Sequence, residues 1–131
     1  MSEQPANPAD DGDVTRADSL AREIFADVAN KWALLIINVL GERTLRFGEL
    51  HAEVGGISHK MLTQTLRVLE RDGLVERTVH PTVPPRVDYV LTGPGQALRA
   101  MVNGMCGWTR RHLPHIEEAR RRFDADRSGN A

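Results

Sequence analysis

Apolar side chains recur along this chain with two different periods, and the places where the period changes outline its elements. Leu20, Ile24 and Val28 fall on one helical face, with Asp18 or Ser19 placed to cap the start of that first helix. Asn30-Lys31 interrupts the pattern, and Trp32 to Leu40 is then apolar nearly all round, as expected of a helix at the centre of a core. Gly41 suits its C-terminal cap. Arg46 opens a short third helix carrying Phe47, Leu50 and Val54 at i, i+3 and i+7, which Gly55-Gly56 ends. Ser58 then offers an N-cap to a fourth helix, His59 to Asp72. Leu62, Leu66 and Leu69 form one stripe of it, and Lys60, Thr63, Gln64, Arg67 and Arg71 the opposite one.

After Asp72-Gly73 the period drops to two. Leu74 to His80 alternates as a half-buried strand does, Pro81-Thr-Val-Pro-Pro85 makes a turn, and Val87, Tyr89 and Leu91 alternate on the way back. A hairpin with a proline-stiffened, projecting tip is predicted. Thr92-Gly93-Pro94 fits a new helix start, because proline in a first turn forgoes an N–H that has no partner there. Leu98, Met101, Val102, Met105 and Trp108 line one face of that last long helix. Pro114 is placed to kink it, and Glu117/Arg121 and Glu118/Arg122 are i, i+4 pairs that would support a final exposed turn.

The expected division is therefore a disordered acidic arm over 1–17, one folded domain over 18–113, and a helical extension and tail over 114–131. The arm is rich in Pro, Asp, Asn and Ala, and lacks the large apolar side chains that would offset its ordering entropy. A chain of 131 residues fits one domain with tails. Its longest apolar run, Trp32 to Ile37, is far too short to cross a bilayer, so no membrane partner is expected. The polar, acidic opening is unlike an export leader, which makes the cytoplasm the expected location.

The net charge of −1 argues against nucleic acid until it is divided along the chain. The first thirty residues hold seven acids against two bases, and the remainder 15 bases against 11 acids. Cys106 is the single cysteine, so an intramolecular disulfide, a CxxC pair and a cysteine-rich zinc site are all excluded. Its expected role is that of a small buried hydrophobe.

The order helix, helix, short helix, tight turn, polar-faced helix, hairpin, helix is that of a winged helix-turn-helix: mainly α, with a small antiparallel β-hairpin and flanking dimerisation helices. In that fold the second helix of the motif enters the major groove, where each base pair presents its own donor and acceptor pattern. Ser58, His59, Lys60, Thr63, Gln64 and Arg67 supply matching groups. Gln64 can bond an adenine edge twice, and Lys60 and Arg67 can contact guanine or phosphate. A solvated helix face would show the same stripe, and the hairpin that follows it favours DNA. Arg46 joins this set, as does Arg86 on the wing, where it reaches DNA or pairs with Asp88.

Other chemistry finds little support. His112, His115 and Glu118 recur every three residues, but Pro114 disturbs the helix that would align them on a metal, so no metal site is expected. Gly93-Pro-Gly95 lacks the lysine and hydroxyl of a phosphate-binding loop, and no oxyanion loop accompanies Cys106. Neither enzyme activity nor a cofactor is expected.

Lys31-Trp32, Arg46-Phe-Gly-Glu-Leu50 and Gly56-Ile-Ser-His-Lys-Met-Leu-Thr-Gln64 resemble the HxlR-type regulators. So do Asp72-Gly-Leu-Val-Glu-Arg77 and Pro84-Pro-Arg-Val-Asp-Tyr89 through Leu91-Thr92 and Gly95. The resemblance runs from about Leu20 to Trp108. It implies a bacterial homodimer built by the first and last helices and bound to a palindromic operator. Leu20, Ile24, Leu98, Met101, Val102, Met105 and Trp108 would form the dimer interface. Many members carry a Cys-Pro sensor pair at the start of the first helix, where this chain reads Ser19-Leu20. Cys106 matches a cysteine that members often have before the last helix's tryptophan, in a packing role or a sensing one.

The sequence thus points to a sequence-specific DNA-binding transcription regulator. The alternative is a winged helix used as a protein-interaction module, since fold alone does not fix function. An unidentified small-molecule effector between the dimer helices is compatible with either.

Overall fold

The computed structural model describes residues 11–129 as six helices and a three-stranded sheet, in the order α1 (Asp11–Val28), α2 (Lys31–Leu40), β1 (Leu45–Arg46), α3 (Phe47–Val54), α4 (His59–Arg71), β2 (Val75–His80), β3 (Arg86–Leu91), α5 (Gly93–Arg111) and α6 (Leu113–Gly129). They form two units, one ending at Gln96 and the other starting at Ala97.

In the first unit, Asn30 stops α1 and starts α2. Its side-chain oxygen accepts from the N–H groups of Trp32 (2.7 Å) and Ala33 (3.4 Å), satisfying donors that a helix start leaves open. Ala33, Ile36, Ile37 and Leu40 of α2 are buried, and around them pack Leu50 of α3, Leu62, Leu66 and Leu69 of α4, and Tyr89 and Leu91 of β3. The predicted apolar stripe of α4 is thus the face that holds this helix to the core. Burying three leucines contributes on the order of 5–9 kcal/mol against leaving them in water.

Four expectations are corrected. Residues 11–17, assigned to a disordered arm, are the first turns of α1, so neither Asp18 nor Ser19 is its cap. Burial was the wrong criterion for them. Asp11 and Asp13 sit in the first turn, where the helix dipole favours anions, Arg16 pairs with Asp13, and the Thr15 hydroxyl donates to the Asp11 carbonyl at 2.9 Å. The disorder expected of residues 1–10 lies outside the described residues.

Second, the sheet has three strands rather than two, in the order β1-β3-β2, all antiparallel. Leu45 pairs with Tyr89 and Arg46 with Asp88, so Arg46 ends a strand and precedes α3, its N–H donating to Glu49 Oε1 at 2.8 Å. A strand of two residues has no periodicity to read. Third, the alternation of β2 buries only Val75, and Val79 is exposed because its stretch of the hairpin lies beyond the core. Fourth, Cys106 is exposed rather than buried, lying on a part of α5 whose neighbours Met105 and Gly104 are themselves exposed.

Thr92 joins the hairpin to α5. Its hydroxyl donates to the Gly73 carbonyl (2.6 Å) and accepts from the Gly95 N–H (3.1 Å), and the Gln96 side chain donates to the Gly41 carbonyl (2.7 Å). Gly95 is buried, and a Cβ there would collide with the Leu74 carbonyl oxygen, so this close approach requires glycine. In the second unit the expected kink at Pro114 is a break: α5 ends at Arg111, and α6 begins at Leu113 with the proline in its first turn.

Candidate nucleic-acid interface

The turn that aims α4 is built by Gly55 and Gly56, with φ of 71° and 73°, a region that costs most side chains energy. Ser58 follows as the predicted N-cap, its hydroxyl oxygen accepting from the Met61 N–H at 3.0 Å. Held by this cap and by its leucines, α4 presents the opposite face outward. His59, Lys60, Gln64 and Arg67 are exposed and Thr63 is half-buried. Among the described residues, the side chains of Lys60, Gln64 and Arg67 make neither ion pairs nor hydrogen bonds, so their donors and acceptors remain available.

Arg71 leaves this face. Its Nη2 lies 3.2 Å from Asp27 Oδ2 of α1 and its Nε 3.7 Å from Asp72 Oδ1. The outward stripe therefore ends at Arg67. Asp72 itself has a pKa raised from its ordinary value, first by burial and then by the neighbouring Asp27 carboxyl, with Arg71 opposing both.

On the wing the cations are partly matched. Arg86 Nε approaches Asp88 Oδ1 at 3.3 Å as an ion pair, although the N–H is not aimed at that oxygen, and His80 Nε2 lies 2.9 Å from Asp88 Oδ2. Both stand around the one carboxylate, and Arg46 is the cross-strand neighbour of Asp88. Of the two readings of Arg86, the pairing with Asp88 is the contact present. Two residues of this region were missed in the sequence. Arg77, opposite Tyr89 in register, is an exposed cation without an ion pair among the described residues; it was hidden inside an alternating run. His51 of α3 stacks on His59 at 4.2 Å between ring centroids, a contact across a loop that no local pattern encodes.

The proposed dimer residues lie in both units. Leu20 is exposed and Ile24 half-buried on α1, where Phe25, absent from the sequence-based set, is 71% exposed. On α5, Leu98 and Val102 are half-buried and Met101, Met105 and Trp108 exposed. Among the described residues no three His, Cys, Asp or Glu side chains are grouped to hold a metal ion, and Glu118 instead pairs with Arg121 and Arg122. Among the described residues no helix is long and apolar enough to cross a membrane.

A capped, polar-faced helix behind a tight glycine turn, followed by a two-stranded wing, defines a winged helix-turn-helix protein. Residues 27–117 match the HxlR-like helix-turn-helix family, and the chain belongs to it. It is 40% identical over 96 residues to the HTH-type transcriptional regulator YtfH of Escherichia coli K12, covering 73% of this chain and 76% of that one. Among solved structures, the regulator ytfH from Salmonella typhimurium superposes with a TM-score of 0.65 at 38% identity, over 76% of this chain and 89% of the other. A MarR-family regulator from Enterococcus faecalis V583 does so with a TM-score of 0.67 at 30% identity, over 90% and 99%. The family is a helix-turn-helix family, and these relatives carry the description of transcription regulators.

Proposed function

We propose that the protein is a cytoplasmic, sequence-specific transcription regulator that binds a palindromic operator as a homodimer. The observation that carries this reading is the outward face of α4. Among the described residues Lys60, Gln64 and Arg67 stand there without ion-pair or hydrogen-bond partners, on a helix whose other face is fixed in the core. Leaving two cations and an amide unmatched on a rigid helix suits recognition of base edges and phosphates, which supply the missing acceptors and donors. His59 and Thr63 extend the same face, and Ser58 lies at its start beside the backbone groups that favour a phosphate. Arg46, Arg77 and Arg86 would add phosphate contacts from the sheet.

Two such helices related by a two-fold axis would read half-sites about one helical turn apart, roughly 10 bp, or a multiple of it. The apolar side chains exposed on α1 and α5 are the surfaces proposed to form the dimer. Selection of bound duplexes from a random pool tests the reading. A palindromic consensus is expected, bound at least about a thousandfold more tightly than scrambled DNA at moderate salt. Equal affinity for every duplex would reject it and leave the winged helix as a protein-interaction module.

A further inference from the structure

We infer that His51 is a positioning residue for base reading, its ring setting the direction of His59 at the entry of α4; this rests on the DNA-reading function proposed above. One imidazole here touches three consecutive parts of the motif. It belongs to α3, its Nε2 lies 2.8 Å from the Ile57 carbonyl oxygen in the connecting turn, and its ring lies 4.2 Å from that of His59, the first residue of α4, at 27° between planes. A carbonyl only accepts, so Nε2 carries the proton and donates, which fixes both the tautomer and the ring plane.

Phe47 completes the stack. Its ring centroid is 5.6 Å from His59 and 6.4 Å from His51, nearly parallel to the latter at 8°, and it also lies 6.4 Å from the tilted ring of Tyr89 in the sheet. The stack therefore runs from the sheet through α3 to the exposed first turn of α4. Its location is informative. Gly55 and Gly56 give the connecting turn backbone freedom, and Ser58 caps α4 through its backbone, but neither fixes the side chain of His59. Without His51 that ring would keep only its looser stacking on Phe47, at 5.6 Å against 4.2 Å, and with it a less defined direction. A side chain at a helix entry that is held before DNA arrives loses less rotamer entropy on binding, and gains correspondingly in discrimination.

The test separates ring from hydrogen bond in the full-length protein. His51→Gln keeps an N–H donor and removes the ring, whereas His51→Phe keeps a ring and removes the donor. Each is compared with His59→Ala and with His51→Gln/His59→Ala, using affinities for the selected operator and for duplexes substituted at each half-site position, alongside thermal melts. His59→Ala is expected to lose preference at one position per half-site, and His51→Gln to lose roughly tenfold at that same position. His51→Phe should retain most of it, and His51→Gln should change nothing further once His59 is alanine. The inference is overturned if His51→Gln keeps wild-type preference, or weakens all duplexes alike in both backgrounds, as a purely structural residue would. If the wild type itself shows no sequence preference, the function proposed above fails and this inference with it.

Discussion

Arg86 lies 3.3 Å from Asp88, two residues along the same strand, so the wing carries its own counter-ion where a DNA-contacting arginine was expected. His80, at 2.9 Å, draws on the same carboxylate. The pair is half-buried rather than dry, which keeps its intrinsic strength modest, but any phosphate must compete with Asp88 for the guanidinium. Asp88→Asn should therefore strengthen binding to every duplex alike. The logarithmic salt dependence should steepen by about one unit if a single extra phosphate contact is released. Arg86→Ala should flatten it by less than that. A salt series on operator and scrambled duplexes measures both, and an unchanged slope in Asp88→Asn would show that the wing stays clear of the backbone.

Gly95 gives the sharpest stability prediction. A Cβ there would meet the Leu74 carbonyl oxygen, and the backbone at this point is held by Thr92, which bonds both Gly73 and Gly95. Backbone on both sides cannot give way as a flexible side chain would. Gly95→Ala should destabilise the fold by about 1–3 kcal/mol, read as a lower denaturant midpoint at unchanged slope.

Asp72 predicts a pH dependence. Its carboxyl is mostly buried beside Asp27, and its pKa is raised in the folded chain, chiefly by that burial. The native state therefore binds this proton more tightly than the unfolded one, and stability falls as pH rises from the ordinary aspartate range through the raised value. Asp72→Asn supplies a permanent donor toward Asp27 and removes the titration. It should melt at a higher temperature than wild type at neutral pH, with the difference shrinking as the buffer is made acidic. A constant difference across that range would assign the effect to something other than this proton.

Why some of this was legible and some was not follows from the range of each interaction. The face of α4 could be read because Ser58, the leucine stripe and the Gly55-Gly56 turn are local signals that agree with one another. The hairpin was legible from its alternation and prolines. Residues 11–17 were misassigned because burial was asked to explain a helix that stands on local charge and dipole terms. Arg71 was placed on the polar stripe of α4 with no partner in view, because Asp27 is 44 residues away, on another helix. The His51 stack escaped for the same reason. Histidines eight positions apart meet only once the turn between α3 and α4 has been built.

The exposed side of α5 predicts a dimer that a single charge can break. Met101, Met105 and Trp108 are spaced i, i+4 and i+7 and are 66%, 65% and 49% exposed in one chain. If a second copy covers them, Met105→Asp exchanges a buried apolar contact of about 2 kcal/mol for the desolvation of a carboxylate. The dimer dissociation constant should rise at least about thirtyfold, at 1.4 kcal/mol per tenfold. Sedimentation should then report one chain where wild type reports two, while the circular dichroism keeps its helical signal. A wild-type chain that sediments as a monomer at every accessible concentration would remove the dimer and the palindromic operator together.

Base reading is tested most directly at Gln64, which stands exposed between Lys60 and Arg67 on the outward face of α4 without an internal hydrogen bond among the described residues. An amide offers a donor and an acceptor at fixed spacing, the complement of the adenine edge in the major groove. Gln64→Ala should reduce discrimination at one position of each half-site by about 1–3 kcal/mol, with little change in affinity for scrambled DNA or in salt slope. Arg67→Ala offers the contrast. If it contacts phosphate, affinity for all duplexes falls together and the slope flattens by about one unit; if it reads guanine, a second position loses its preference while the slope hardly moves. Gln64→Glu sharpens the first test, because it keeps the size and shape of the side chain while replacing its donor with an acceptor. Preference for adenine at the affected position should disappear and that for cytosine, whose edge donates, should rise. Retention of the wild-type consensus by both Gln64 variants would place this residue outside the base-reading contacts.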